Sequence, residues 1–433
     1  MITTILSFII VLGILVTVHE LGHFLVAKAL GMGVERFSIG FPPKMFGFTR
    51  GETEYCVSWI PLGGYVKLKG EGPDEIVEDP DDPRLFSTRP PHQRAGVIIA
   101  GPLMNLVLAF VVMPLVFIVG ISMPSYLEDP PMVGWVEPGS SADNIGIVPG
   151  DLILTLNGEK TATWEQFFEK AALAGEKSYE IKLQGSSGIR TVSLDKAGSE
   201  ADPLGISPPM EPIIGALTKG YPAQKAGLEQ GDRILSIGQI PVSHWNEMAR
   251  IIHASAGKAL TLKVLRGQEE ISLSVTPLLD KKTGNGLMGI SPRNETVTRR
   301  FGAGEALKQG YERNMELLGM TFSFIWDLVT GRSSIENLGG PIMIFQVTGE
   351  AARAGMAQFL GFMAFLSLQL GILNLFPIPV LDGGHIVFLA VEAIMGRPLE
   401  LRTREMAQRV GFFLLITLII VISYNDIMRI FAG

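Results

Sequence analysis

Four stretches of the 433-residue chain are almost wholly apolar, and the segments between them alternate or mix polar and apolar positions. The first apolar run, residues 5–30, is interrupted by few polar side chains, chief among them Thr17, His19, Glu20, His23 and Lys28. Residues 96–121, and residues 410–422 with their flanks, are each long enough to cross a hydrocarbon core of about 30 Å. Residues 357–396 exceed one straight span and are broken by Pro377, Pro379, Gly383 and Gly384. Non-helical backbone at that depth survives only beside protein or a water-filled cavity, so the break points to half of a site. The pattern predicts a polytopic α-helical membrane protein with four transmembrane helices, at 1–31, 95–122, 355–396 and 403–425. The first run lacks the positive start of a signal peptide and continues into His19, so it is expected to be retained. Residues 304–329 are helical in pattern, but their apolar part is bounded by Glu316 and Asp327 and is too short to span. The region 294–354 is therefore expected to hold an amphipathic interfacial helix. Within the loop 32–94, "EYCVSWIPLGGYVKLKG" (54–70) alternates around Gly63-Gly64 and reads as a β-hairpin beside the membrane.

The long segment between the second and third spans repeats itself. Residues 139–167 match residues 220–248 at a constant offset, pairing Gly139 with Gly220, Ala142 with Ala223, Gly150 with Gly231, Asp151 with Asp232 and Trp164 with Trp245. A helical stretch and alternating strands follow in each copy. The spacing resembles PDZ domains, small β-sandwich modules that bind peptide C-termini by strand addition. Each copy ends in "LGISP" or "MGISP", so the strand that would line the groove follows the body of the domain, as in the circularly permuted bacterial form. Two tandem, circularly permuted PDZ-like β-sandwich domains are expected at 123–208 and 209–293.

Composition sharpens this picture. Nearly half of the residues are apolar (47%), only 18% are charged, and the mean hydropathy is positive, which fits a chain partly in lipid. The formal charge of −7 argues against nucleic acid as a partner, since phosphate binding needs a basic face. A single cysteine, Cys56, excludes internal disulfides and reads as a small buried apolar side chain. Lysine and arginine concentrate between the first two spans and between the last two. Both loops are therefore expected to be cytoplasmic, with the termini and the repeats on the other side.

Ionisable groups inside a membrane span are costly and mark function by default. "HELGH" (19–23) places His19 and His23 four residues apart, nearly one helical turn, so both imidazoles can bind one Zn²⁺. Glu20 lies beside them and suits a general base that takes a proton from water activated by the metal. That chemistry is amide hydrolysis. A catalytic zinc needs a third protein ligand and an open position. Spacing and depth leave two candidates in "NLFPIPVLDGGH", Asp382 and His385.

HELGH in the first span together with NxxPxxxLDGG in the third resembles the site-2 protease family of intramembrane zinc metalloproteases, over essentially the whole chain. The resemblance implies that Asp382 is the third ligand and His385 a supporting residue. It places Asn374 against the substrate or the oxyanion, a role an amide donor suits. It also gives Gly64, Tyr65 and Val66 of the hairpin the role of an edge strand that pairs with an unwound substrate. The "GPLMN" stretch (101–105) can bring backbones close through its small residue, and the family places the Asn105 region near the site, with Asn105 expected among the residues that bind substrate. The implied substrates are single-span proteins in the bilayer of a bacterial inner membrane, among them an anti-sigma factor already trimmed outside, with remnant signal peptides as further substrates. Two rivals fit less well. A PDZ scaffold with a structural metal does not require Glu20, and a zinc transporter would need ligands along a path through several spans.

Overall fold

The computed structural model describes residues 1–71, 79, 82–174, 178–186, 188–195, 204–280, 283–333, 339–397 and 399–432. The chain divides into a helical unit, residues 1–121 with 299–432, and a β-rich insert, Ser122–Thr298.

Among the described residues, four helices of the helical unit are long and apolar enough to cross a membrane: Ile2–Ala29, Pro91–Val119, Met356–Asn374 and Arg402–Met428. The first buries Thr4, Ser7, Val11, Leu15, His19 and Gly22, a stripe at helical spacing. The second starts with Pro91 at its first position, where a missing N–H costs nothing, and contains Pro102 and Pro114. The third packs on the second, and Ser367 Oγ donates to the Asn105 carbonyl at 2.7 Å. It stops at Asn374. The chain then folds back through residues 375–381, and a new helix, Asp382–Met395, begins. Gly383 and Gly384 make this reversal possible, because a Cβ on either would collide with the carbonyls of Leu375, Phe376 or Ile378.

Between the first two helices lies a small sheet, and here the structure corrects the sequence reading. The halves of residues 54–70 do not pair with one another across Gly63-Gly64. The tight turn is at Gly51-Glu52, between strands Val34–Arg50 and Thr53–Leu68. Each strand is long enough to bend and pair twice. Residues 34–39 slot between 54–57 on one side (Phe37 opposite Tyr55) and 64–68 on the other (Phe37 opposite Val66), while 44–50 pair with 53–58. Gly63 and Gly64 are extended and serve close approach: a Cβ on Gly63 would enter the Phe41 ring, and one on Gly64 would lie 2.7 Å from Ser38 O. Local alternation cannot reveal that an earlier strand separates the two halves. Residues 64–68 end up as the edge strand, with the first helix beside them.

The helix expected over 304–329 extends over Ala303–Val329 and runs antiparallel along the second apolar helix. The Phe117 carbonyl accepts from Phe301 N–H at 3.0 Å, Gly310 packs on Pro114, Asn314 Nδ2 donates to the Ala109 carbonyl at 3.1 Å and Gln369 Nε2 to Thr321 Oγ1 at 2.8 Å. Ala306, Gly310, Asn314 and Leu317 are buried. This narrow face, its residues about one turn apart and with Ala306 and Gly310 small, lets the two helices approach.

The insert holds two copies of one arrangement. Each has a four-stranded antiparallel sheet, with Glu159–Lys160, Leu152–Leu156, Ser178–Gly185 and Gly188–Asp195 in the first and Ile240–Pro241, Arg233–Ile237, Leu260–Arg266 and Glu269–Val275 in the second. The longer helix of each copy is Trp164–Ala174 or Trp245–His253, preceded by the one-turn helix Ser141–Asn144 or Pro222–Lys225. The last strand of each copy returns to its first, pairing Val136 with Ile206 and Leu217 with Ile290. Each copy has its own core, around Trp164, Phe167 and Tyr179 in one and Ile214, Met248 and Val264 in the other.

Candidate metal centre

His19 and His23 project from one face of the first helix, with their Nε2 atoms 3.2 Å apart. Asp382 is the first residue of the helix after the break, and the folded-back loop carries its carboxylate to them. Its Oδ2 lies 3.1 Å from His19 Nε2 and 3.8 Å from His23 Nε2. A tetrahedral Zn²⁺ with ligands at roughly 2.0–2.2 Å holds their atoms roughly 3.3–3.6 Å apart, so two imidazoles and a carboxylate at these separations fit one such ion. His23 Nδ1 donates to the Val97 carbonyl at 2.8 Å, which places the proton on Nδ1 and turns the Nε2 lone pair toward Asp382. Among the described residues, His19, His23 and Asp382 are the set of three that could hold a metal.

Glu20 stands beside this set and outside it. Its Oε2 accepts from Val66 N–H at 3.0 Å, so the carboxylate rests on the edge strand. A cavity of about 590 Å³ is lined by His19, Glu20, His23, Asp382, Tyr65 and Val66, with His385 and Arg404 also on its wall. Gly64 is next to it, where a Cβ would sit 3.4 Å from Glu20 Cγ. Tyr65 Oη accepts from Arg36 Nη1 at 3.0 Å, which holds the ring in the sheet. Asn374 ends the third apolar helix, half-buried, and does not line this cavity. Asn105 is fully buried and touches His19, with 3.1 Å between its Nδ2 and His19 Nδ1. It too is absent from the lining.

Two contributions escaped sequence reasoning. Val97 acts through its carbonyl, which no side-chain pattern reports, although its spacing from Gly101 and Asn105, four residues each, puts all three on one helix face. Arg404 enters the cavity wall from the last helix and pairs at 2.5 Å with the buried Glu392, which Arg94 also reaches at 3.2 Å. Nothing in local sequence pairs residues so far apart.

The sequence profile of peptidase family M50 matches residues 7–418. The chain belongs to this family, the site-2 proteases. The protease is 36% identical over 452 residues to the regulator of sigma-E protease RseP of Escherichia coli K12, covering 98% of each chain. It is 35% identical over 456 residues, 99% of each chain, to a Neisseria meningitidis protein whose name assigns it provisionally to the zinc metalloproteases. Among solved structures, the PDZ domain of the SdrC-like protein of Listeria innocua matches with 25% identity, 20% of this chain, 96% of that chain and a TM-score of 0.18.

Proposed function

We infer that the protease is a zinc-dependent endopeptidase that cuts single-span membrane proteins within or at the edge of the bilayer. The observation that carries this reading is the meeting of His19, His23 and Asp382 with Glu20 in one cavity, between helices apolar enough to lie in lipid. Zn²⁺ bound there would polarise the scissile carbonyl and lower the pKa of water toward about 7. Glu20 takes the proton of the attacking water and returns it to the leaving amine. Peptide hydrolysis needs an extended substrate, whereas a transmembrane segment is helical. The edge strand 64–68 offers backbone groups to such a segment once it unwinds, and the Val66–Glu20 hydrogen bond sets the base beside that track. Leu68, Val97 and Phe86 add apolar lining for substrate side chains.

Similarity to RseP supports a place in sigma-E-type stress signalling, with an anti-sigma factor, cut first outside the membrane, as the substrate. Basic residues in the two loops support an orientation with the site toward the cytoplasmic half of the inner membrane and the PDZ-like repeats on the periplasmic side.

The test separates base from ligand. Glu20→Gln is expected to abolish cleavage of a single-span reporter while the purified protein keeps about one zinc; His23→Ala and Asp382→Ala are expected to lose both, and His385→Ala to keep most of its metal. Zinc loss in Glu20→Gln together with full retention in Asp382→Ala overturns the assignment.

A further inference from the structure

The second apolar helix supplies no metal ligand, yet three of its residues face the two histidines at successive turns. Val97 fixes His23 through its carbonyl. Gly101 leaves room for the rings: a Cβ there would run into His23 Nε2 and His19 Cε1. Asn105 comes next, its side chain on His19 Nδ1 at 3.1 Å and its own carbonyl held by Ser367 Oγ. Both imidazoles therefore turn Nε2 to Asp382 and Nδ1 to this helix. Asn105 has no exposed surface, and a substrate in the cavity cannot touch it unless His19 moves away.

We propose that Asn105 is a positioning residue for the metal centre, holding His19 through its amide oxygen, and that it makes no contact with substrate. This departs from the substrate role expected from sequence, and it rests on the reading of His19, His23 and Asp382 as ligands. A His19 that coordinates through Nε2 must carry its proton on Nδ1, and that proton needs an acceptor. Val97 provides one for His23. The group that lies against His19 Nδ1 is the Asn105 amide, whose Oδ1 is buried without a partner. The two ends of an amide are nearly the same size, so turning it by half a revolution costs no space. With Nδ2 on His19, it is Oδ1 that is left buried without a protein partner. Only the orientation with Oδ1 on His19 leaves Nε2 free for a metal, because an NH₂ group facing Nδ1 would force the ring proton onto Nε2. "GPLMN" thus works as a unit, Gly101 making the space and Asn105 setting the ring.

The experiment uses the full-length protein in detergent and measures zinc affinity by competition with a chelator, alongside kcat and KM on a single-span reporter. Asn105→Ala is expected to weaken zinc binding about 10–100-fold with KM unchanged once zinc is saturating. Asn105→Asp keeps an oxygen against Nδ1–H and is expected to restore affinity to within a few-fold of wild type. Wild-type zinc affinity with raised KM in Asn105→Ala overturns the proposal in favour of substrate contact. Equal loss of zinc in Asn105→Asp and Asn105→Ala overturns the acceptor role. If the wild type binds no zinc, or His23→Ala keeps it, the reading of the centre itself fails, and this outcome is distinct from the other two.

Discussion

The two repeats of the insert share one arrangement, and their differences lie in a few places. In the first, Trp164 is fully buried, stacked on Phe168 and edge-on to Phe167. Its counterpart Trp245 is half-buried and lines a cavity of about 400 Å³ with Met248 and Ile252. The same side chain closes a core in one copy and borders an open groove in the other. The buried aspartates show the converse, one solution reached with different residues. Asp232 is gripped by Arg266 through Nε and Nη2, both at 2.8 Å. In the first copy the position of Arg266 is taken by Gly185, where a Cβ would meet Asp151 Oδ1, and Arg190 reaches Asp151 from the next strand at 2.8 Å. At the joint, Thr163 caps its helix with a hydroxyl that accepts from Gln166 N–H. Its counterpart His244 caps through Nδ1, bonds the Pro208 carbonyl through Nε2 at 3.0 Å and stacks on Trp135. Trp135 corresponds to Ala216, so both partners of that stack are departures from the repeat. Duplication leaves the frame intact, and divergence goes to the groove and to the joint between the copies.

The comparison can be broken most forcefully at the tryptophans. Trp164→Ala should remove about 3–5 kcal/mol from the first repeat, whereas Trp245→Ala, already half in solvent, should cost the second less than half of that. Hydrogen exchange of the full-length protein, read separately over each repeat, checks this, and equal losses would erase the distinction. Next in size is Arg266→Ala, which leaves Asp232 buried without its partner at a cost of roughly 3 kcal/mol. Burial opposes ionisation of Asp232, but the Arg266 hydrogen bonds and Glu229 N–H outweigh it and hold the carboxyl below its ordinary range. A depressed folded pKa contributes stability above the unfolded value of about 3.9 and loses it as pH falls through the folded one. In the variant, burial without Arg266 raises the carboxyl instead, so the gap between wild type and Arg266→Ala, followed by exchange over residues 260–266, should be widest at neutral pH and shrink as pH falls toward and below about 4. The smallest effect concerns His244, whose pKa is pushed down by burial against the opposing pull of the Pro208 carbonyl and Glu247. Its contribution is complete above about pH 6.5 and is lost as pH falls. Exchange at residues 206–210, corrected for intrinsic rates, should speed up a few-fold between pH 7.5 and 5.5, and His244→Thr should abolish that dependence while keeping the helix cap.

What could be read from the chain alone was whatever depends on near neighbours. Helical periodicity sets His19, Glu20 and His23 on one turn, because four residues make nearly one revolution wherever a helix forms. Apolar length marks the four long helices, and the offset between the repeats shows in their glycines and tryptophans. Asp382 was singled out by the break in its span, yet choosing it over His385 took a resemblance to a family. Only packing decided how the sheet is ordered, since the insertion of residues 34–39 between 54–57 and 64–68 joins segments that pattern treats as separate. Packing also laid Ala303–Val329 along the second helix, through one face spread over four turns. It moved Asn105 from the cavity to the back of His19. Side-chain periodicity says which face of an element is buried, but not what lies against it. That depends on distant segments meeting in three dimensions, and for this protease the candidate metal centre is such a meeting, between residues 19–23, 97–105 and 382.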